Sequence, residues 1–414
     1  MMTQTTPSVY RQGNRILMPG LATAHSHAFQ RALRGRTQRR ATLAGSFWSW
    51  RGLMYALVQK LDPDDIFSIA RFAFVELAMS GVTAVGEFHY VHHEPGGVPY
   101  TDRLTTAEAV IKAAQETGLR ITLIRTAYLQ TGVGQTLVPA QQRFADPSVD
   151  HVLEDVDALR SRYANAAGVQ IGLAAHSLRA VSPQQVVELA AYARQHNMMF
   201  HMHVAEQQRE VDECLQRYKL RPVAILAKGG ILDQNFVAIH ATHLDAGEIE
   251  ALGAAKAFVC LCRTTERDLG DGLPDAAALV EAGARLCVGV DSHASSDAFE
   301  EIRAIELDGR SRAEARHVVA EAPDLLLAAT EYGYQAIGLG DAWQNDRVYL
   351  NAEDPAIALI NEDLLVDAVI FGATPRAVDE VVIGGRMVVK GGVHILYDEA
   401  RIGYEQTLRK LELL

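Results

Sequence analysis

The feature that most constrains the fold is a regular alternation, between Ile16 and His293, of short apolar runs with amphipathic helical stretches. The apolar runs are rich in β-branched residues, which is typical of parallel sheets built from βα units. Eight runs can be counted: Ile16 to His25, Thr83 to His89, Arg120 to Leu129, Gly168 to Leu178, Met198 to Glu206, Phe236 to Leu244, Ala257 to Cys262, and Arg285 to His293. Eight such units predict a (β/α)8 TIM barrel of the α/β class rather than a doubly wound sheet.

After Leu327 the pattern changes. A helical stretch over Ala328 to Ile337 is followed by runs that read as strands and then by a closing helix: Arg347 to Leu350, Asp367 to Phe371, Val381 to Lys390, and the helix Ala400 to Glu412. Gly384-Gly385 inside the last run predicts a hairpin turn. We therefore expect an N-terminal segment (1–17) that can add one strand to an accessory β domain, a barrel (18–340), and a C-terminal segment (341–414) that supplies most of the accessory domain.

The amino-acid composition limits the kinds of partner that the chain can bind. The chain carries 39 Lys and Arg against 51 Asp and Glu, a formal charge of −12, which argues against nucleic acid because phosphate contacts need a basic surface. No apolar run reaches the roughly 18 residues that span a bilayer, so no membrane partner is expected. The four cysteines are too scattered for a disulfide framework, which predicts a cytoplasmic protein, and Cys260 and Cys262 lie in an apolar run, where buried free thiols are expected rather than a soft-metal site.

Histidines fall at the ends of the predicted strands. Five predicted strands have histidine at or near their carboxyl ends: these residues are His25-Ser26-His27, His89, His176, His203 and His240. Asp291 lies near the end of the eighth strand. Parallel barrel strands all end at one mouth, where barrel enzymes keep their chemistry. Residues far apart in sequence should therefore meet there.

The strand-end residues form a plausible set of metal ligands. His25 and His27 project on the same side of an extended segment, and with His203 and Asp291 they supply three imidazoles and a carboxylate, which suits Zn²⁺ or Fe²⁺ with one position left for water. His201 is an alternative, but only one member of His201-Met202-His203 can face the lumen, and Glu206 just beyond favours His203. Two-metal sites of this type use a lysine near strand four, and no lysine occurs between Lys112 and Lys219, so we expect one ion.

These residues stand in motifs that resemble the amidohydrolase superfamily and, more closely, its formimidoylglutamate deiminases. The matching runs are residues 19–31 (PGLATAHSHAFQR), 47–51 (FWSWR), 87–93 (EFHYVHH), 176–181 (HSLRAV), 203–208 (HVAEQQ), 240–243 (HATH), 269–272 (LGDG) and 291–293 (DSH). The resemblance extends from about Met18 to His293 and weakens afterwards. His-x-His alone is a weak signal, whereas EFHYVHH and HSLRAV together are specific.

The resemblance implies a reaction and a role for each site residue. The reaction is the hydrolysis of N-formimino-L-glutamate to N-formyl-L-glutamate and ammonia in histidine degradation, with water activated by a metal held by His25, His27, His203 and Asp291. Asp291 or His240 would take a proton from that water, and Glu206 would deliver it to the departing nitrogen. The implied substrate contacts are Gln30, Arg51, Tyr90, His176 and Arg179, of which the two arginines suit the two substrate carboxylates. We also expect a homodimer.

Three positions depart from the family pattern and keep alternatives open. Arg267 and Asp268 replace a small residue and an amide, and they could neutralise each other or reshape the pocket; Val290 replaces a serine before Asp291. A related deaminase that acts on a guanidino acid or an aminated heterocycle is the alternative enzyme. A non-catalytic barrel would require the loss of a ligand or of Glu206, and all are present.

Overall fold

The structure is a computed structural model that describes residues 8–39, 47–133 and 135–414. Its strands form two sheets. A six-stranded antiparallel sheet contains β1 (Tyr10–Gln12), β2 (Arg15–Pro19), β11 (Asp346–Asn351), β12 (Val378–Ile383), β13 (Arg386–Lys390) and β14 (Val393–His394), in that spatial order. The eight remaining strands are parallel, and each pairs with the next along the chain: β3 (Leu21–Ser26), β4 (Val82–His89), β5 (Arg120–Ala127), β6 (Val169–Ala175), β7 (Phe200–Val204), β8 (Phe236–His240), β9 (Phe258–Leu261) and β10 (Arg285–Val288).

Backbone hydrogen bonds just beyond the last strand close the parallel sheet on itself. The N–H of Asp291 donates to the carbonyl of His25 (3.1 Å), and the N–H of His27 donates to the carbonyl of Asp291 (2.9 Å). Ser26 and Asp291 form a parallel bridge at this point. The predicted (β/α)8 barrel is therefore confirmed, and the seam between its first and eighth strands lies among the predicted site residues.

Helices cover the outside of the barrel and connect its strands. They are α1 (Phe47–Val58), α2 (Pro63–Met79), α3 (Thr105–Thr117), α4 (Val149–Arg162), α5 (Pro183–Gln195), α6 (Gln208–Tyr218), α7 (Pro222–Lys228), α8 (Ala246–Ala254), α9 (Arg263–Leu269), α10 (Ala276–Ala282), α11 (Ala298–Ala313), α12 (Ala322–Ala329), α13 (Glu331–Ala336), α14 (Leu365–Gly372) and α15 (Tyr397–Lys410). The longest of them, α2, begins with a capping box between Asp62 and Asp65 and has a proline at its first position. None of the described helices combines the length and apolar character needed to cross a bilayer.

The first predicted strand, Ile16 to His25, is in fact two strands that belong to different sheets. Gly20 separates β2 from β3, and its N–H donates to the carbonyl of Asp346 (3.2 Å). A Cβ at this position would lie 2.2 Å from Oγ1 of Thr83. Glycine is therefore required where the chain passes from the small sheet into the barrel, and one continuous strand was the wrong expectation.

Two further predictions after Leu327 differ from the structure. The helix expected over Ala328 to Ile337 is broken at Thr330 between α12 and α13, and the strand expected at Asp367 to Phe371 is the helix α14. In α14, Leu365, Val369 and Ile370 are buried and Asp367 is exposed. This spacing of four to five residues is helical, and a five-residue apolar run cannot be distinguished from a strand by pattern alone.

The small sheet joins the two ends of the chain and is attached to the barrel. Strand β2 lies between β1 and β11. The fully buried carboxylate of Asp346, at the start of β11, accepts hydrogen bonds from Arg120 of β5 (2.8 and 2.9 Å) and from the hydroxyl of Tyr334 (2.6 Å). The hairpin predicted at Gly384-Gly385 connects β12 and β13.

Candidate active site

A cavity of about 570 Å³, measured with its open mouth, lies at the carboxyl ends of the barrel strands. The residues singled out by the sequence mostly line it: His27, Gln30, Arg51, Tyr90, His176, Arg179, His203, Glu206, His240 and Asp291. His25 is fully buried beside them, with its ring 4.6 Å from that of His27. The structure thus brings together residues from strand ends that are far apart in the sequence, as the barrel topology requires.

Hydrogen bonds fix the orientation of two imidazoles in this cluster. Nδ1 of His27 lies 2.9 Å from the carbonyl oxygen of Phe88, and Nδ1 of His203 lies 2.9 Å from that of His176. A carbonyl only accepts, so each Nδ1 carries the proton. The Nε2 lone pairs of both rings are therefore directed into the cluster, which is the arrangement that orients metal-binding histidines.

The inward-facing nitrogen and oxygen atoms of these residues lie close enough together to share one ion. Nε2 of His203 is 3.2 Å from Nε2 of His25, and Oδ1 of Asp291 is 3.3 Å from Nε2 of His25 and 3.4 Å from Nε2 of His27. Burial lowers the pKa of His27 to about 3 and moves the pKa values of His25 and His203 in the same direction, so the rings are neutral. A divalent cation fits this set of three nitrogens and a carboxylate.

His240 is held on the other side of Asp291. Its Nδ1 lies 3.1 Å from Oε1 of Glu266, and its Nε2 lies 3.8 Å from Oδ2 of Asp291. Glu266 is itself fixed by the N–H of Cys262 (2.9 Å) and by an ion pair with Arg263. Glu266 was not anticipated from the sequence, because nothing in its local pattern distinguishes it from any other helical carboxylate.

Arg179 and Glu206 form a buried ion pair in the wall of the cavity. Nη2 of Arg179 donates to Oε2 of Glu206 at 2.8 Å, and both side chains are less than a tenth exposed. A second carboxylate, Glu210, approaches Nε of the same guanidinium at 3.6 Å. The sequence suggested that Arg179 would be available to a substrate carboxylate, whereas in the structure it is already engaged by two protein carboxylates.

Arg51 presents the opposite situation. It projects from α1, with Nε 2.5 Å from the hydroxyl of Tyr55 and Nη2 3.4 Å from that of Tyr128. Within the described ranges, no Asp or Glu lies at ion-pair distance from it. Its positive charge therefore faces the cavity without a counter-charge from those ranges.

The remaining predicted contacts form the aromatic side of the cavity. Nε2 of Gln30 donates to the hydroxyl of Tyr90 (3.0 Å), and the rings of Tyr90 and His176 pack edge to face at 5.4 Å. Burial raises the pKa of Tyr90 well above its ordinary value, so its hydroxyl stays neutral. Polar groups without charge thus lie beside the imidazole cluster.

Two histidines singled out by strand position lie outside the cavity. Nε2 of His89 is 3.2 Å from Oγ1 of Thr106, behind the barrel wall. His201 lies two residues before His203 on β7, hence on the same face but farther from the carboxyl end of the strand, where it is buried and does not line the cavity; burial lowers its pKa to about 3. A histidine at a strand end reaches the mouth only if strand alternation turns it inward, and the exact last residue of a strand is hard to read from sequence.

Aromatic residues to which the sequence analysis assigned no role also line the cavity: Phe47, Trp50, Tyr55, Tyr128 and Phe144. Tyr128 directly follows β5, so the strand-end criterion applied to histidines could have found it. Phe47, Trp50 and Tyr55 project from α1 at helical spacing, but only the tertiary structure shows that this helix covers the cavity.

The departures from the family pattern lie away from the imidazole cluster. Arg267 pairs with Glu300 (2.7 Å) and Asp308 (2.5 Å), and Asp268 accepts a hydrogen bond from Gln38 (2.9 Å). The suggestion that Arg267 and Asp268 neutralise each other is therefore wrong. Val290 is buried and does not line the cavity.

The four cysteines are free and buried, as expected. Cys260 and Cys262 lie on and directly after β9, beneath the cluster. Burial raises the pKa values of both thiols well above the ordinary range, so they remain protonated and weak as ligands.

Comparison with known proteins agrees with this geometry. Residues 16–388 match the model of the amidohydrolase family. The chain is 36% identical to formimidoylglutamate deiminase of Pseudomonas aeruginosa over 97% of its own length and 90% of the relative's, and 29% identical to 8-oxoguanine deaminase of the same organism, over 94% and 86%. Among solved structures, an amidohydrolase from Brucella melitensis superposes with a TM-score of 0.90 at 30% identity, covering 98% of this chain and 96% of the other.

A more distant structure, a zinc-bound adenosine deaminase from Xanthomonas campestris, has a TM-score of 0.81 at 21% identity and covers 97% of this chain and 87% of its own. At that identity the likeness concerns the fold alone. The family match extends over most of the sequence, and the closed barrel carries its histidine cluster at the mouth that the family motifs mark. The chain belongs to the amidohydrolase family.

Proposed function

We propose that the protein is a metal-dependent deiminase that hydrolyses N-formimino-L-glutamate to N-formyl-L-glutamate and ammonia. The observation that carries this proposal is the juxtaposition of two features in one cavity: a cluster of ligand atoms from His25, His27, His203 and Asp291, and an arginine, Arg51, without a carboxylate partner in the described ranges. The first feature supports hydrolysis and the second supports an anionic substrate. The 36% sequence identity to a formimidoylglutamate deiminase, over 97% of the chain, supports the same conclusion.

One divalent cation at the cluster would supply Lewis acidity and would lower the pKa of water towards neutrality. We propose zinc, because three imidazoles and one carboxylate are ligands that this ion favours, and iron(II) is the alternative. The absence of lysine between Lys112 and Lys219 supports a single ion.

The chain's own side chains move the protons. Water addition to the formimino carbon releases a proton, and departure of ammonia requires one at the leaving nitrogen. Glu206, buried and three residues beyond His203, is the group that transfers it, and Arg179 holds its carboxylate in place. Asp291 takes the first proton, and His240, whose Nε2 lies 3.8 Å from Oδ2 of Asp291, helps to hold that carboxylate in place.

Substrate binding depends on cationic and neutral donors around the cavity. Arg51 offers a planar fork to one carboxylate of the substrate, while Gln30, Tyr90 and His176 contact its uncharged part. Arg179 contacts the second carboxylate only if its guanidinium is shared with Glu206.

An ammonia-release assay tests the proposal directly. The purified protein loaded with zinc should release ammonia from N-formimino-L-glutamate and much less from a guanidino acid or from aminated purines and pyrimidines. Faster turnover of a neutral heterocycle would contradict the proposal. It would instead support the second candidate, a heterocycle deaminase, which is favoured by one observation: Arg179 is already paired with two protein carboxylates, which leaves one unpaired cation for a dianionic substrate.

A further inference from the structure

Glu210 stands out among the buried acidic residues near the cavity because the reaction outlined above makes no use of it. It lies in the first turn of α6, four residues beyond Glu206, and its side chain is fully buried. Its ion-pair partner in the described part of the chain is Arg179, at 3.6 Å from Nε. A buried carboxylate facing a buried guanidinium is costly to maintain unless the two are paired.

Arg179 lies between two carboxylates, one inside the cavity and one behind its wall. Glu206 lines the cavity and contacts Nη2, whereas Glu210 does not line it and contacts the Nε edge. The ring of Phe47 packs against the guanidinium, 5.4 Å from Cζ. One edge of Arg179 thus faces a carboxylate behind the cavity wall, at ion-pair distance but without a hydrogen bond, while another donates to the proton-transfer carboxylate.

We propose that Glu210 is a positioning residue, which lies behind Arg179 and, by pairing with its Nε edge, keeps the guanidinium directed at the carboxylate of Glu206. This inference rests on the proposed role of Glu206. Without Glu210, the Nε edge of the guanidinium would face no carboxylate of the described residues, and Arg179 would be held in place by Glu206 alone. At the same time the net charge beside the cavity would become more positive by one.

Burial raises the pKa of Glu210 to about 7, against the opposing effect of Arg179, so the kinetic comparisons below are made above that pH, where Glu210 is ionised. Glu210 faces Arg179 and Glu206, and its own helix adds Glu213, which pairs at the surface with Arg209 (2.7 Å). Glu213 therefore offers a matched control, because it is a glutamate of the same helix but pairs with Arg209 rather than with Arg179.

A less firmly held Arg179 and a more positive charge beside the cavity together predict an unusual kinetic signature for Glu210→Gln. The turnover number should fall about five- to tenfold, the size of a typical coupling between contacting charges, while KM for an anionic substrate should stay unchanged or decrease. A merely structural loss would instead raise KM. Glu213→Gln should leave both constants unchanged, and Glu210→Asp, which keeps the charge farther from Arg179, should recover part of the turnover.

A double-mutant cycle with Arg179→Met provides the decisive test. If Glu210 acts through Arg179, adding Glu210→Gln to Arg179→Met should change turnover by less than about twofold. Equal effects of Glu210→Gln in both backgrounds, or a rise in KM with unchanged turnover, would overturn the inference. If Glu210→Gln does not fold, the same cycle is run with Glu210→Asp.

The cycle uses whichever substrate gives the fastest ammonia release with the unmodified protein. Failure on N-formimino-L-glutamate alone would therefore contradict the proposed substrate and leave the coupling measurable on another. Additive effects on a good substrate would contradict the role of Glu210 and leave the proposed function intact.

Discussion

Glu266 fixes which nitrogen of His240 faces the cluster. Its carboxylate lies 3.1 Å from Nδ1 of His240, so the ring's other nitrogen, Nε2, is directed at Asp291. The partner comes from α9, a helix that contributes no proposed ligand. Burial alone would lower the pKa of this ring, but the hydrogen bond to Glu266 and the nearby carboxylates outweigh it and raise the pKa of His240 to about 10. A glutamine in place of Glu266 would remove part of this effect and loosen the orientation of the ring.

Glu266→Gln should therefore lower the turnover number by about 10- to 100-fold, a part of what proton transfer contributes in such sites. Ammonia release measures the loss, and metal analysis should show an unchanged ion content. Glu300→Gln, which removes a partner of Arg267 at the surface, is the control and should turn over normally. Normal turnover by Glu266→Gln would show that His240 needs no orienting partner.

Removal of the cation should abolish activity and its return should restore it. Elemental analysis is expected to find one ion per chain. His203→Ala should lose it, because two neutral imidazoles and a carboxylate bind a divalent ion far more weakly than three imidazoles and a carboxylate do. A chain that keeps full activity after exhaustive chelation would refute a metal-dependent reaction. Two tightly held ions per chain would contradict the argument from the missing lysine.

Glu206→Gln should retain the ion and the substrate but lose about 10² to 10⁴-fold in turnover, since the amide cannot carry a proton to the leaving nitrogen. Single-turnover kinetics with a retained metal content separates this loss from a binding defect. Turnover within a few-fold of the unmodified protein would exclude Glu206 as the proton carrier.

The two arginines of the cavity should differ in their effect on substrate selection. Arg51→Met should raise KM for N-formimino-L-glutamate more than for a neutral analogue, and Arg51→Lys should recover it only in part, because an ammonium lacks the planar fork. Arg179→Met should lower turnover as well, by up to about 2 to 5 kcal/mol in kcat/KM, since it leaves buried carboxylates unpaired. Equal losses on charged and neutral substrates would assign Arg179 a purely structural role.

Glu301 predicts a pH dependence of stability that is independent of the cluster. It is buried and accepts hydrogen bonds from the N–H (3.1 Å) and the hydroxyl of Thr264, and burial raises its pKa to about 8. A carboxyl with a raised pKa in the folded state binds its proton more tightly there, so its stabilising contribution is present at acid pH and is lost as pH rises towards about 8.

Glu301→Gln imitates the protonated form, because its amide oxygen can accept from the N–H of Thr264 and its amide nitrogen can donate to the hydroxyl. The free energy of unfolding of the variant, measured with denaturant between pH 5 and 8, should therefore increase relative to the unmodified protein as pH rises. A constant difference across this range would show that Glu301 is ionised in the folded state.

The barrel and most of the cavity residues follow from the sequence because strand ends in a closed parallel barrel must converge. The sequence could not separate β2 from β3, since the division depends on the close approach of Thr83 to Gly20, which is a tertiary contact. Nor could it distinguish α14 from a strand. The pairing of Arg179 with Glu206 and Glu210 was missed for a related reason: motif position indicates which cavity an arginine reaches but not which protein charge it meets there.

The seam of the barrel also sets the order in which the protein can be completed. Asp291 is hydrogen-bonded to His25 and His27 by its backbone and contributes its side chain to the same cluster. A growing polypeptide that has not reached this residue holds the three imidazoles, which come from two strands, but neither the carboxylate nor the closing bonds. Binding of the cation would thus coincide with closure of the barrel. The bound ion would hold together the first and the last barrel strands to be synthesised.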